Sequence, residues 1–132
     1  MTLSGLSSQK NGSNMGYYTY YTLTMQGNDA DVNAAEADLL DASRCEDGEP
    51  EYGMEELIKY GGVEAKLYDI EEYFNKVAPK HPNVLMILNG DGEESDDMWE
   101  SRWKGNDFEC HNAIIPPFTN PNLLTDYEKQ NK

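Results

Sequence analysis

The carboxylates of this chain are concentrated in two short stretches. Residues 29–56 carry eleven acids against the single base Arg44, and residues 91–100 carry six acids and no base. These stretches hold seventeen of the twenty-five acids, and the formal net charge is −15 over 132 residues. Such a field repels nucleic acids and attracts basic protein surfaces. It also destabilises a compact state by self-repulsion, and salt should screen that repulsion. We expect a core of modest size.

The chain length fits one domain. Apolar residues make up 38% and there are nine tyrosines, which argues against a disordered chain. We expect a flexible leader at 1–15, a single domain at 16–118 and a polar C-terminal tail at 119–132 that wraps or dangles. No apolar run reaches the roughly 20 residues of a membrane helix, and no secretory signal is evident. Cys45 and Cys110 are therefore predicted to be free thiols in a reducing cytoplasm.

Hydrophobic periodicity predicts both strands and helices. The clearest helix, at 70–78, places apolar side chains at i, i+3, i+4, i+7 and i+8, the spacing of a core-facing stripe. Asp69 precedes it and Glu72 follows three residues later, as in a capping box. The run VLMIL at 84–88 predicts a central strand covered on both faces. In chain order, we predict strands at 17–26, 63–68, 84–88, 98–103 and 108–115, and helices at 28–43, 54–60 and 70–78.

The element order favours a two-layer fold. A strand, two helices, a strand, a helix and three successive strands fit an antiparallel sheet with helices packed on one face. We therefore predict an α+β fold of the ferredoxin-like sandwich type. Trp99 and Trp103 would share one strand face and pack over the helix at 70–78; on an open face they would anchor a partner. Tyr18 and Tyr20 are likewise either core or interface residues.

Residues 89–100, NGDGEESDDMWE, have some of the oxygen-ligand spacing of a calcium loop. Position six of that loop is Glu94, where the sharp turn needs Gly, so a solvated acidic hairpin loop is the favoured interpretation. The Cys and His residues lack zinc-binding spacing, and Cys110 is predicted to be a small core residue. No nucleophile motif is present. We therefore predict no cofactor, no metal and no catalytic residue.

The clustered acids have two interpretations. One is a solvated surface, or an adaptation to high salt. The other is recognition of a basic groove on another protein, where rows of carboxylates occupy phosphate positions and bind Lys and Arg through charge-assisted hydrogen bonds. The residues predicted to bind such a partner are Asp29, Asp31, Glu36, Asp38, Asp41, Glu93, Glu94, Asp96, Asp97 and Glu100.

Three segments carry a resemblance to known proteins. They are GDGEE at 90–94 followed by DMW at 97–99, the opening YYTYYTL at 17–23, and the helix at 70–78 followed by KHPNVLMILNG. Together they resemble small uncharacterised α+β proteins of phages and prophages. The acidic stretch at 44–56 lies outside this resemblance, and the family has no established catalytic residues. Small acidic phage proteins include anti-CRISPR proteins and DNA mimics, so the resemblance implies such a role by association.

The sequence thus predicts a non-enzymatic, phage-type inhibitor in the cytoplasm of a bacterial host. It would bind a basic, nucleic-acid-handling host defence protein, for example a CRISPR effector, and block nucleic-acid binding. It would contact neither nucleic acid nor membrane directly. Two alternatives remain: a calcium- or metal-binding interaction module, and a small enzyme with unrecognised machinery. The target and the oligomeric state stay open.

Overall fold

A computed structural model describes residues 18–92, 98–112 and 118–130. Over these residues the chain is α+β, as predicted. The elements alternate in the first part of the chain, and three strands then follow one another. They are β1 (Thr19–Gln26), α1 (Asp29–Ala42), α2 (Met54–Tyr60), β2 (Gly62–Ala65), α3 (Ile70–Val77), a 3-10 turn (Ala78–Lys80), β3 (Leu85–Gly92), β4 (Met98–Lys104), β5 (Asp107–Asn112), a second 3-10 turn (Pro121–Leu123) and α4 (Asp126–Gln130).

The five strands form one antiparallel sheet in the order β2-β1-β3-β4-β5. β3 pairs with the whole of β1, from Thr19 opposite Gly92 to Gln26 opposite Leu85. β2 and β5 are the edges. The antiparallel sheet is confirmed, but the ferredoxin-like arrangement is not. That fold runs β-α-β-β-α-β, whereas here one strand separates α2 from α3 and three strands follow α3.

Helices α1, α2 and α3 lie on one face of the sheet and form the main core with it. Trp103 stacks on Phe74 of α3 with ring centroids 4.6 Å apart, and its indole N–H donates to Asn75 Oδ1 at 2.8 Å. The prediction that the tryptophans pack over this helix is confirmed for Trp103. Trp99 is half-buried and lies edge-on to Tyr21, with centroids 6.1 Å apart.

Gly90 in β3 gives Trp99 the space that it occupies. The two residues are cross-strand partners, and a Cβ at position 90 would collide with the indole ring. Without that Cβ, the indole lies flat over β3 and reaches Tyr21 of the next strand. A glycine in the middle of a strand here marks a close side-chain approach rather than a bend.

The opposite face of the sheet is partly covered by the C-terminal segment, residues 118–130. Leu123 is buried against Leu85 and Ile87 of β3, in a second and smaller core. The polar tail was predicted either to wrap against the domain or to dangle, and up to Gln130 it wraps. The molecule therefore has three layers where this segment lies and two layers elsewhere.

Two detailed predictions were wrong. Cys110 is exposed rather than a core residue, because β5 is an edge strand that the helices do not cover. Asp69 precedes α3 as predicted, but its side chain makes no capping hydrogen bond, so the capping box with Glu72 does not form. Both cysteines are free, as predicted. The predicted end of the last strand, residues 113–115, lies outside the described residues.

Candidate acidic interaction surface

Helix α1 carries the first group of predicted binding residues. Asn28 caps it: its Oδ1 accepts from the backbone N–H of Asp31 at 2.8 Å, and its Nδ2 donates to the Asp31 carboxylate at 2.9 Å. Acids in the first turn also stabilise the helix, because they interact favourably with its dipole. Only Ala35 and Leu39 are fully buried, so most of the helix circumference faces solvent.

The acids of α1 do not form a single row. With about 3.6 residues per turn, Asp29 and Glu36 lie on one flank and Asp31 and Asp38 on the other, whereas Asp41 lies on the outermost strip between them. The other residues of that strip have short exposed side chains. They are Ala30, Asn33, Ala34 and Ala37.

Two of these five acids already contact a basic side chain. Asp38 Oδ2 lies 2.7 Å from His81 Nε2, and Asp41 Oδ1 lies 3.4 Å from Arg44 Nε. The exposed Asp41–Arg44 pair contributes about 0–1 kcal/mol, whereas the His81 side chain is only 12% exposed. Among the described residues, no ion pair involves the other three acids of the helix. The surface of α1 therefore keeps most of its charge uncompensated.

The loop between α1 and α2 is held by its own backbone. The N–H of Cys45 donates to the Glu49 carbonyl at 2.8 Å, and the N–H of Gly48 donates to the Cys45 carbonyl at 2.9 Å. Gly48 has a φ of 86°, a left-handed conformation that favours glycine. Arg44 donates to the Gly48 carbonyl at 2.8 Å. The only base within residues 29–56 therefore stabilises the loop that displays the acids.

Glu51 fastens the same loop to the rest of the fold. Its carboxylate accepts from the Tyr73 hydroxyl at 2.6 Å and from the backbone N–H of Tyr68 at 3.3 Å. Burial, together with the neighbouring Glu51 carboxylate, raises the pKa of the Tyr73 hydroxyl, so the phenol remains a donor. Gly53 has a φ of 102° and lies so close to Ala65 that a Cβ would be 2.8 Å from the Ala65 Cβ. The loop is thus a fixed part of the fold.

This loop and the first turn of α2 enclose an open cavity of about 310 Å³. Acids predominate in its lining, which consists of Cys45, Asp47, Glu49, Pro50, Glu51, Tyr52, Gly53, Glu55 and Glu56. Residues 29–60 contain eleven acids against Arg44 and Lys59, a formal net charge of −9. We call the following residues the acidic surface: Asp29, Asp31, Glu36, Asp38, Asp41, Glu46, Asp47, Glu49, Glu55 and Glu56.

The loop and α2 acids of this surface were counted in the sequence but were not among the predicted binding residues. The available signal was their density, because residues 46–56 hold six acids and no base. Its Gly and Pro residues predicted a loop. No sequence pattern shows whether a loop is ordered. The hydrogen bonds from Tyr68 and Tyr73 that order it come from residues far along the chain.

The second predicted acidic stretch is described only in part. Glu100 lies on the sheet face opposite the helices, where Asn89 Nδ2 donates to its carboxylate at 2.7 Å. Arg102 Nε pairs with the same carboxylate at 2.6 Å, and the Glu100 side chain is only 14% exposed. Glu100 is therefore separate from the acidic surface and already has a cationic partner. The remaining predicted residues of this stretch, Glu93, Glu94, Asp96 and Asp97, lie outside the described residues.

Arg102 joins this sheet face to the C-terminal segment. Its two terminal nitrogens donate to the Glu128 carboxylate at 2.7 and 3.1 Å, and one of them also donates to the Leu123 carbonyl at 2.9 Å. The guanidinium lies 4.0 Å from the centre of the Phe118 ring. Hydrogen bonds from Arg102 lower the pKa of Glu128 to about 2. The sequence analysis missed this pairing across 26 residues.

Other site types find no support in the described part of the chain. It contains no group of three or more His, Cys, Asp or Glu side chains placed to hold a metal ion. Its helices all lack the length and apolar character that a membrane span requires. No family model matches the chain, and no curated protein and no solved structure matches it. The geometry and charge of the acidic surface are therefore the basis for assigning a function.

Proposed function

We propose that this chain is a non-enzymatic inhibitor that binds a basic, nucleic-acid-handling host defence protein and blocks its nucleic-acid binding. The observation that carries the proposal is the acidic surface, a net charge of −9 over residues 29–60 on an ordered backbone. The resemblance to phage proteins adds, by association, a bacterial host cytoplasm as the place of action and a CRISPR effector as an example of a target.

The arrangement of carboxylates on α1 supports mimicry of a nucleic acid. The two acidic flanks are separated by roughly the helix diameter, about 10 Å. The major groove of DNA has a comparable width, about 12 Å. Apart from Asp41, the strip between the flanks carries only short side chains, so it leaves the carboxylates accessible to the side chains of a groove-lining partner. Lys and Arg that normally hold phosphates would hold these carboxylates.

The ordered loop supports binding without a large entropic cost. Glu46 and Glu49 project from a backbone that is fixed by hydrogen bonds before any partner arrives. A preorganised surface spends less of its interaction energy on ordering its own groups. The surrounding field would also accelerate encounter with a cationic protein, and salt would reduce that acceleration.

A pair of charge-matched variants tests the proposal. The first is Glu46→Lys with Glu49→Lys, on the acidic surface. The second is Glu72→Lys with Asp126→Lys, exposed residues of α3 and α4 that do not belong to that surface. Each variant changes two acids to bases and so shifts the formal net charge from −15 to −11. Any effect of total charge is therefore shared by both.

The partner is first captured from bacterial host lysate, with and without nuclease treatment, and is then purified. We expect the first variant to bind it about tenfold more weakly than the unchanged chain, and the control variant to bind nearly as well. High salt should weaken partner binding by the unchanged chain more than partner binding by the first variant. Equal weakening by both variants would show that total charge alone acts, and a partner retained only through nucleic acid would contradict direct binding.

A further inference from the structure

The sheet face opposite the helices is only partly covered by the C-terminal segment. Where that cover ends, Tyr20 and Met98 remain 50% and 46% exposed. Strand register places Glu64, Tyr20, Asp91 and Met98 side by side across β2, β1, β3 and β4. We call these four residues the tyrosine row. It is an open strip of one aromatic ring and one thioether, with an acidic residue on each of the two strands next to β1.

Gly62 determines how the Tyr20 ring lies. A Cβ at position 62 would be 2.6 Å from the Tyr20 hydroxyl oxygen and 3.3 Å from Cζ. The ring therefore leans across the neighbouring strand β2 and does not stand straight out from the sheet. One side of the ring is supported by the backbone of that strand, and the half-exposure of the residue leaves its other side to solvent. This is the geometry of a stacking platform.

The charges beside the ring select the ligand. Glu64 and Asp91 are the cross-strand partners of Tyr20, on strands about 4.8 Å to either side of β1. Because the ring leans across β2, it lies on the Glu64 side. Neither carboxylate forms an ion pair within the part of the chain that the structure describes. At the neighbouring position, Lys66 Nζ lies 4.5 Å from the centre of the Tyr18 ring. The same end of the sheet thus already holds one cation against a tyrosine.

We propose that the tyrosine row binds an arginine side chain of a basic protein partner. The planar guanidinium would stack on Tyr20 while its N–H groups donate to Glu64 and Asp91. The lysine ammonium group is a compact charge without the planar surface and the fixed array of N–H donors that a guanidinium has. A stacked nucleobase is disfavoured, because the two carboxylates would repel its phosphates. The inference rests on the proposed function for the basic character of the partner and adds a second contact surface to it.

The test uses the isotope-labelled full chain and three probes in an amide chemical-shift titration. The probes are a capped Gly-Arg-Gly-Arg-Gly peptide, its lysine counterpart and an oligothymidylate. We expect the arginine peptide to bind more tightly than the lysine peptide and to shift the amides of Tyr20, Glu64 and Asp91. Tyr20→Ala should weaken arginine-peptide binding about two- to five-fold.

Three further variants separate stacking from other effects. Gly62→Ala should weaken binding as Tyr20→Ala does, because the added methyl displaces only the flexible end of the Tyr20 side chain. Tyr20→Phe should retain binding, since it keeps the ring and the space around it. Tyr60→Ala is the control: it removes a different exposed tyrosine, 71% exposed, at the end of α2.

The inference is overturned if the arginine and lysine peptides bind equally and Tyr20→Ala has no effect. Preferential binding of the oligothymidylate at the row would also overturn it, in favour of a nucleic-acid site. Shifts confined to the acidic surface would reject the row while leaving the proposed function in place. Conversely, arginine binding at the row supports the inference even if the chain fails to displace nucleic acid from any host protein, which would reject the proposed function alone.

Discussion

Replacing Glu128 with Gln tests how firmly the C-terminal segment is fastened. The carboxylate accepts from Arg102 at 2.7 and 3.1 Å and from the backbone N–H of Thr125 at 2.9 Å. These donors favour the ionised form and lower the pKa of Glu128 from 4.5 to about 2. At about 1.4 kcal/mol per pKa unit, this difference corresponds to about 3 kcal/mol. The 36% exposure of the side chain reduces the expected loss to about 1–2 kcal/mol at neutral pH.

The pH dependence of this loss has a defined sign. A carboxylate whose pKa is depressed by folding stabilises the protein fully above its unfolded pKa and loses that effect as pH falls through its folded pKa. The difference in unfolding free energy between the unchanged chain and Glu128→Gln should therefore be complete at neutral pH and shrink between pH 4.5 and about 2. Acid also relieves the general self-repulsion of this chain, but a difference between two proteins largely cancels that effect.

Urea unfolding followed by tryptophan fluorescence gives the required free energies. Three proteins are compared at neutral pH and near the lower end of the window: the unchanged chain, Glu128→Gln, and Asp126→Asn. The last changes an exposed acid of the same helix and should have little effect. A loss below about 0.3 kcal/mol at neutral pH would lie within the range of ordinary surface substitutions and would refute the reasoning. So would a loss that does not change with pH.

Two further substitutions test packing and the anchoring of the loop. Gly90→Ala should lower the unfolding free energy by about 1–3 kcal/mol, because its methyl collides with the indole of Trp99; the cost should shrink in a Trp99→Leu background, and an equal cost there would contradict this cause. Tyr73→Phe should remove the hydrogen bond to Glu51 and cost about 1–2 kcal/mol. Hydrogen exchange should then accelerate at the Tyr68 amide, and unchanged protection would show that the loop does not depend on this bond.

Sequence periodicity correctly predicted the helices and strands that depend on residues close together in the chain. The stripe over residues 70–78 and the run at 84–88 identified α3 and β3, because apolar spacing and burial coincide there. The strand β3 nevertheless continues to Gly92, past the end of the apolar run. Its polar end pairs with β1 and β4, whose register no single segment contains. The predicted helix at 28–43 matches α1, whose start is fixed by Asn28 through a cap that bonds within one turn.

Features with a distant cause were not predictable. The exposure of Cys110 depends on how far the helices reach across the sheet, which alternation along β5 does not encode. The burial of Glu100 depends on its pairing with Arg102, which in turn pairs with Glu128 of the C-terminal segment. For the candidate site, the sequence identified the acids of α1 by density and by the helical pattern. It did not show that the loop after the helix is ordered, because the hydrogen bonds that fix this loop come from Tyr68 and Tyr73.

The central claim is that the acidic surface occupies the place of nucleic acid on a basic partner. Fluorescence anisotropy of a labelled nucleic acid on the purified partner, with increasing amounts of this chain, tests it most directly. The account predicts full displacement of the nucleic acid and loss of that displacement in the variant carrying Glu46→Lys and Glu49→Lys. A ternary complex in which the partner holds both ligands at once would contradict it.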